Sequence, residues 1–491
     1  MISTTHFLPR QATQRVLTYS LLAGAALGVL APTVACAQNP TSAVNPFWGS
    51  VTVQTVSSEP LKLSLDDAIE RGLKNNLGLK EAENVYKIYH AEKKQALQEF
   101  LPAVVLTGDS GFHMLNLAAE GFSPKVIKEF AAMFPGGSMP SGMSFITRDT
   151  LTEGKLQYSQ ILFSGPVIAG WKAAGAAERA ANYSRMSARG EVVQQVATVY
   201  LRAIADASEV QNARALVSRA QVLAENAHAA HEAGTKANLD ELRAKVQLEA
   251  QQLALIAAEN KQEKDLILLK REIGVDPEQP VDLTDPAPYS ELAVDTPEEL
   301  RAVAYRNRQD YQGLQNQAIA YKAAHEVYRS ERLPTLSFYS NYAVSNVNGA
   351  GAHGNFIAMG NLSFPLFREA QVRGDSDASK AKMQSVAAQL ADLRNQIDEQ
   401  VRAALLDVTA SAKLVAVAQS NVDLATRALS DETDRVSAGV DDNLPLVTAQ
   451  AALATAQTNL VESLYQYNVS KLKLARATGV LEKQYRTYLG K

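Results

Sequence analysis

A chain of 491 residues with 46% hydrophobic and 20% charged residues is too apolar to remain disordered and too charged to be a bundle of membrane-spanning helices. Lys and Arg number 48 against 52 Asp and Glu, a net charge of −4, so no basic excess marks a nucleic-acid partner. The single cysteine, Cys36, excludes an intramolecular disulfide and a cysteine-based metal cluster.

Residues 1–37 read as an export signal. Arg10 and Arg15 precede an apolar run from Val16 to Ala31, and Ala35-Cys36-Ala37 forms a small-x-small cleavage site that would start the mature chain at Gln38. The run is short for a span of about 20 residues. Thr33-Val34-Ala35-Cys36 also resembles a bacterial lipobox with Thr33 in place of the usual Leu, which leaves lipidation of Cys36 as the alternative to cleavage after Ala37. Residues 38–60 read as an extended N-terminal arm.

The remainder is one unit written twice, residues 61–274 and 296–480, separated by a Pro-rich linker, 275–295, and followed by a C-terminal tail, 481–491. Leu101-Pro102 recurs as Leu333-Pro334, an offset of 232, while Gly234 recurs as Gly439 and Gly274 as Gly479, both at an offset of 205. The equal second offset implies long helical parts of matched length. The larger first offset places an extra segment, residues 114–150, in the first half. Each half is predicted to hold a helix (Ser64 to Phe100, Thr296 to Arg332), two strands, a helix of roughly 70 residues, a glycine break and a shorter helix. Ser64 and Thr296 are the expected N-caps, and Pro297 sits at the first helical position.

The long helices carry a coiled-coil period. Val401, Val408, Val415, Val422, Leu429 and Val436 recur every seven residues, and Val192, Val196, Val199 and Ala203 alternate by four and three. At 1.5 Å per residue such a helix is on the order of 100 Å long. The strands alternate. Leu336, Phe338, Tyr342 and Val344 fall on one face and Thr335, Ser337, Asn341 and Ser345 on the other. Phe356, Ala358, Leu362, Phe364 and Leu366 share a face, and Val104, Leu106 and Phe112 oppose Thr107, Asp109 and His113. Apolar-out, polar-in strands of about ten residues suit an outer-membrane barrel, although a soluble sandwich alternates equally well. One chain supplies four such strands, and an open sheet edge is not tolerated in lipid, so a membrane reading requires several chains sharing one barrel.

The double occurrence of LSLDDAIERGLKNN, QEFLPAVVLTG, SQILFSG and HEAGTKANLDEL in the first half, with SERLPTLSFYS and RVSAGVDDNLPLVTAQAAL in the second, resembles the TolC-like outer-membrane efflux protein (outer membrane factor) family over Ser64 to Gly479. The resemblance implies a mostly α fold with a small β part: a duplicated TolC-like fold, a long coiled-coil α-barrel, and four strands per chain contributed to a shared 12-stranded transmembrane β-barrel. It implies a homotrimer in the outer membrane, embedded in its lipid, with a large periplasmic portion. It also implies a passive exit duct working with a periplasmic adaptor protein and an inner-membrane pump, in efflux or type I secretion. The family gate lies at the periplasmic tips, which places Gly234, Asp240, Gly439, Asp441 and Asp442 there. Pro445 and Thr448 stand where some members carry Asp. The acids at the tips either line an aperture or stabilise the N-terminus of the following helix. The 114–150 segment is expected outside the cell, as a lid over the barrel or as an adhesive loop.

No residues point to an enzyme or a cofactor. His228 and His231, three apart, lack an HExxH context, and Gly349-Ala350-Gly351-Ala352-His353-Gly354 matches GxGxxG but lies between two strands with no helix following. Neither a Walker A sequence nor a GxSxG elbow is present. The competing reading, a periplasmic or surface coiled-coil structural or adhesion protein, explains the heptads but not the matched hairpins.

Overall fold

The computed structural model describes residues 44–51, 56–116, 129, 132, 146–235, 237–286, 289–438 and 443–490. The signal with Cys36, the second tip with Gly439, Asp441 and Asp442, and most of the 114–150 segment lie outside the described residues. Among those described, no helix is long and apolar enough to cross a membrane.

Each half opens with two helices where one was expected. Helix α1 (Leu65–Asn75) starts in a capping box, in which the Ser64 hydroxyl accepts from the Asp67 N–H and the Asp67 carboxylate accepts from the Ser64 N–H. It stops at Asn76, whose extended backbone (ψ 133°) ends α1 while its side chain accepts from the Leu79 N–H and so caps α2 (Leu77–Gln98). The Asn76 amide also donates to the Phe47 carbonyl at 2.6 Å, which pins the arm across the break. In the second half the same break falls at Arg308, between α5 (Pro297–Asn307) and α6 (Gln309–Ser330). A polar residue that can serve two helix ends is invisible to a periodicity argument.

The strands are longer than ten residues. β2 (Ala103–Asn116) and β3 (Ile146–Phe163) pair antiparallel, as do β5 (Thr335–Val347) and β6 (Ala352–Ser363). β3 also pairs with β5, giving one four-stranded sheet in the order β2-β3-β5-β6. Residues 114–116 and 146–150 are therefore strand, so the first-half insertion is shorter than 114–150.

The long helices are α3 (Gly165–Glu232, 68 residues) and α7 (Glu369–Ser437, 69 residues), each returned by a shorter partner, α4 (Asn238–Ile273) and α8 (Asn443–Ala477). The heptad positions are the packed ones. Val401, Val408 and Val415 are buried against Leu300, Tyr311 and Leu474, while Val192, Val196 and Tyr200 are buried against Leu63, Ile69 and Ile273. A third cluster, Leu223, Ala227, Ala244, Leu429, Leu446 and Leu453, joins all four helices near their far end. Side by side, α4 packs on α3, α3 on α8 and α8 on α7.

Two segments assigned no structure from sequence are ordered parts of the central girdle. The linker returns a three-residue strand, β4 (Val281–Leu283), parallel to β1 (Leu61–Leu63). The tail forms α9 (Leu481–Leu489), which buries Leu481 and Leu489 and ties Tyr485 to Asp66 at 2.7 Å. Elements this short carry too few residues to show a period.

Candidate functional site

The sheet has two unlike faces, and the register builds each into a continuous row. Leu106, Leu156, Tyr342 and Phe356 stand opposite one another across all four strands. They are 76%, 48%, 51% and 65% exposed, an apolar belt that nothing among the described residues covers. On the other face the corresponding row is Asp109, Glu153, Ser345 and His353. There Glu153 pairs with Lys155 and accepts from the Ser345 hydroxyl at 2.9 Å. Asn341 and Ala343, on this polar face, are buried. An apolar exposed face and a charged inner face are the reverse of a soluble sheet and match a strand wall between lipid and water.

The sheet and the helical layer both end in open edges. Among the described residues β2 and β6 each have one neighbour, and every residue of β6 is exposed. The outer helices of the layer, α4 and α7, carry bare apolar stripes, that of α4 at coiled-coil spacing. On α4 these are Leu239, Leu242, Val246, Leu253 and Ile256; on α7 they are Leu406, Leu414, Val417 and Leu424, all at least half exposed.

The first tip turns at Gly234. Its φ of 72° is the left-handed conformation a glycine adopts without a Cβ penalty, and Thr235 N–H closes the turn onto the Ala230 carbonyl at 3.0 Å. Asp240 then lies in the first turn of α4, where the helix N-terminus favours negative charge, with Arg243 at 3.6 Å. The residue that sequence reasoning passed over is Glu241. Its carboxylate accepts from Lys245 at 2.6 Å and meets His228 Nδ1 of α3 at 3.0 Å, with His231 Nε2 4.0 Å away. The Lys245 ammonium, and then His228, hold its carboxyl below the ordinary glutamate range. The spacing of Glu241 and Lys245, four apart on a helix, was the available signal. His228 and His231 thus serve a pin between α3 and α4. Among the described residues no group of three or more His, Cys, Asp or Glu is arranged to hold a metal. In the second half Pro445 is half-buried, and Thr448 is exposed with its hydroxyl returned to the Leu444 carbonyl.

The GxGxxG stretch begins in the β5–β6 hairpin turn and runs into β6 at Ala352. Asn348 and Gly349 have φ of 53° and 73°, and the Asn348 side chain accepts from the Thr150 N–H at 2.7 Å. An open cleft of about 410 Å³ between α3, α6, α7 and α8 is lined by Glu191, Arg308, Asp310, Asp407, Lys473 and Arg476. Arg308 is committed to Asp310 and Gln400 there, and Arg476 to Glu191. The Arg308–Gln400 and Arg476–Glu191 pairs tie neighbouring helices together.

A family model described as outer membrane efflux protein matches residues 68–275 and 302–480, one segment for each half. The chain belongs to that family. It is an outer-membrane protein with a large periplasmic helical portion, and the family consists of channels, not enzymes. It is 25% identical over 263 residues to the alkaline protease secretion protein AprF of Pseudomonas aeruginosa. That match covers 51% of this chain and 53% of AprF, so the chain spans about half the length of this curated relative. Its fold is similar to that of the CmeC outer membrane channel of Campylobacter jejuni, with a TM-score of 0.68 at 15% identity over 92% of this chain and 95% of that one. It is equally similar to the open state of the Neisseria gonorrhoeae MtrE outer membrane channel, with a TM-score of 0.69 at 16% identity over 92% and 99%.

Proposed function

We propose that three copies of this chain form a passive exit duct across the outer membrane, serving a tripartite efflux pump or a type I secretion system through a periplasmic adaptor and an inner-membrane pump. The observation that carries this reading is the pair of open edges. A four-stranded sheet with an apolar outer face cannot end in lipid with unpaired backbone. The helical layer beneath it ends in matching apolar stripes on α4 and α7. A second copy set against both edges satisfies both at once, and closure after three copies makes a barrel that opens into a helical tunnel. The AprF likeness favours secretion of a protein cargo and the efflux family model favours a pump; both use the same conduit.

Gating belongs to the tips, where Gly234 turns the first pair of helices, and Asp240, with Gly439, Asp441 and Asp442 of the second tip, would repeat around the threefold axis. Carboxylates in a narrow throat focus a negative potential that favours cations. Reconstitution in a planar bilayer tests both points. Discrete conductance steps are expected, with a cation-favouring reversal potential that moves toward zero in Asp240→Asn. A protein that binds bilayers without conducting would sink the duct reading, and an unchanged reversal potential would remove Asp240 from the gate.

A further inference from the structure

The duplication fixes how the two open sheet edges meet. Residues 232 apart relate β2 to β5, and residues 204 apart relate β3 to β6. Leu106 pairs with Leu156 and Phe338 with Gly360; Asp109 pairs with Glu153 and Asn341 with Ile357. The second offset recurs at the end of β3 and beyond the sheet, in Leu162-Phe163 against Leu366-Phe367 and in the first residues of α3 and α7, Gly165 and Glu369. The seam between the two hairpins inside the chain, β3 on β5, therefore has a counterpart: β6 on the β2 of a second copy.

We propose that β6 of one copy pairs antiparallel with β2 of the next in the register Asn361 opposite Asp109, Ser363 opposite Thr107 and Ala358 opposite Phe112. These are the images of Gln157 opposite Asn341, Ser159 opposite Tyr339 and Gly154 opposite Val344. The proposal rests on the closed-oligomer reading above and specifies its interface. Closure of a barrel ties strand tilt and stagger together, so a hairpin that meets its neighbour with one stagger inside the chain meets the next copy with the same stagger. Side-chain chemistry agrees. On the polar face the Asn361 amide faces the Asp109 carboxylate and the Ser363 hydroxyl faces Thr107. On the apolar face Ala358 lies beside Phe112 and Leu362 beside Gly108. A slip of one residue would turn Leu362 to the polar side.

Paired cysteines test the register, in a Cys36→Ser background that removes the one native thiol. Opposed residues on antiparallel strands have Cα atoms about 4.5–5.5 Å apart, within disulfide reach, whereas a slip of two residues takes them beyond about 7 Å. Asn361→Cys with Asp109→Cys, and separately Ser363→Cys with Thr107→Cys, are oxidised in native outer membranes. The in-chain pair Gln157→Cys with Asn341→Cys serves as the positive control. Covalent dimers and trimers are expected for both matched pairs, at least tenfold above Asn361→Cys combined with Thr107→Cys or Gly111→Cys. Cross-linking in a slipped pair, or in no pair while light scattering still shows trimers, overturns the register and spares the oligomer. A monomeric wild-type mass overturns the oligomer and the register with it.

Discussion

At the scale of single residues, two buried groups set the stability of the central girdle. The Tyr200 hydroxyl, fully buried on α3, donates to the Leu63 carbonyl at 2.9 Å and lies 3.0 Å from Asp285 Oδ2. Tyr200→Phe leaves both acceptors without that donor, at an expected cost of about 1–3 kcal/mol, read as a lowered thermal midpoint in detergent. Glu272, buried at the end of α4, receives one hydrogen bond, from Gln195 at 2.9 Å, and burial pushes its carboxyl up to about 7. Between pH 4.5 and about 7 the folded chain keeps a proton that the unfolded chain has released. Its stabilising contribution is therefore complete below the unfolded value and lost as pH rises through about 7. Glu272→Gln is expected to gain about 1–3 kcal/mol over wild type at pH 8 and little at pH 4. Parallel pH profiles of the two proteins would contradict this.

At the scale of elements, the glycine turns differ in what surrounds them. Gly274 and Gly234 have nearly the same φ, 75° and 72°, but a Cβ at Gly274 would lie 2.7 Å from Asn75 Cβ, whereas at Gly234 nothing lies within 4 Å. Gly234→Ala is expected to cost about 1–2 kcal/mol from the left-handed backbone alone. Gly274→Ala should cost clearly more, and equal losses in thermal midpoint would show that the Asn75 contact does not matter. These turns, the heptads and the strand faces were legible in the sequence because each rests on a period or on a residue type with one conformational use. The breaks at Asn76 and Arg308 were not, since each depends on a distant partner: Phe47 for one, Gln400 for the other. The β1–β4 pair and α9 were too short to announce themselves. Glu241 was missed because its meaning comes from His228 on the neighbouring helix. Since Lys245 and His228 hold its carboxyl low, its contribution persists above the ordinary glutamate range and is lost only as pH falls through its lowered value.

At the scale of the whole molecule, the sheet and the helical layer share one design, two bare edges each, which the proposed trimer would join around its axis. Leu253→Asp together with Ile256→Asp, on the bare stripe of α4, is expected to leave the fold within one copy intact and prevent assembly, because a charge opposite an apolar seam has no partner. Normal assembly of that double variant would remove α4 from the interface. The measurement that bears most directly on the shared conduit is the mass of the wild-type protein extracted from outer membranes in detergent, by light scattering. A mass of three chains that resists dilution is the expected result. A single chain, recovered from the soluble periplasm, would contradict the shared barrel and the duct built on it.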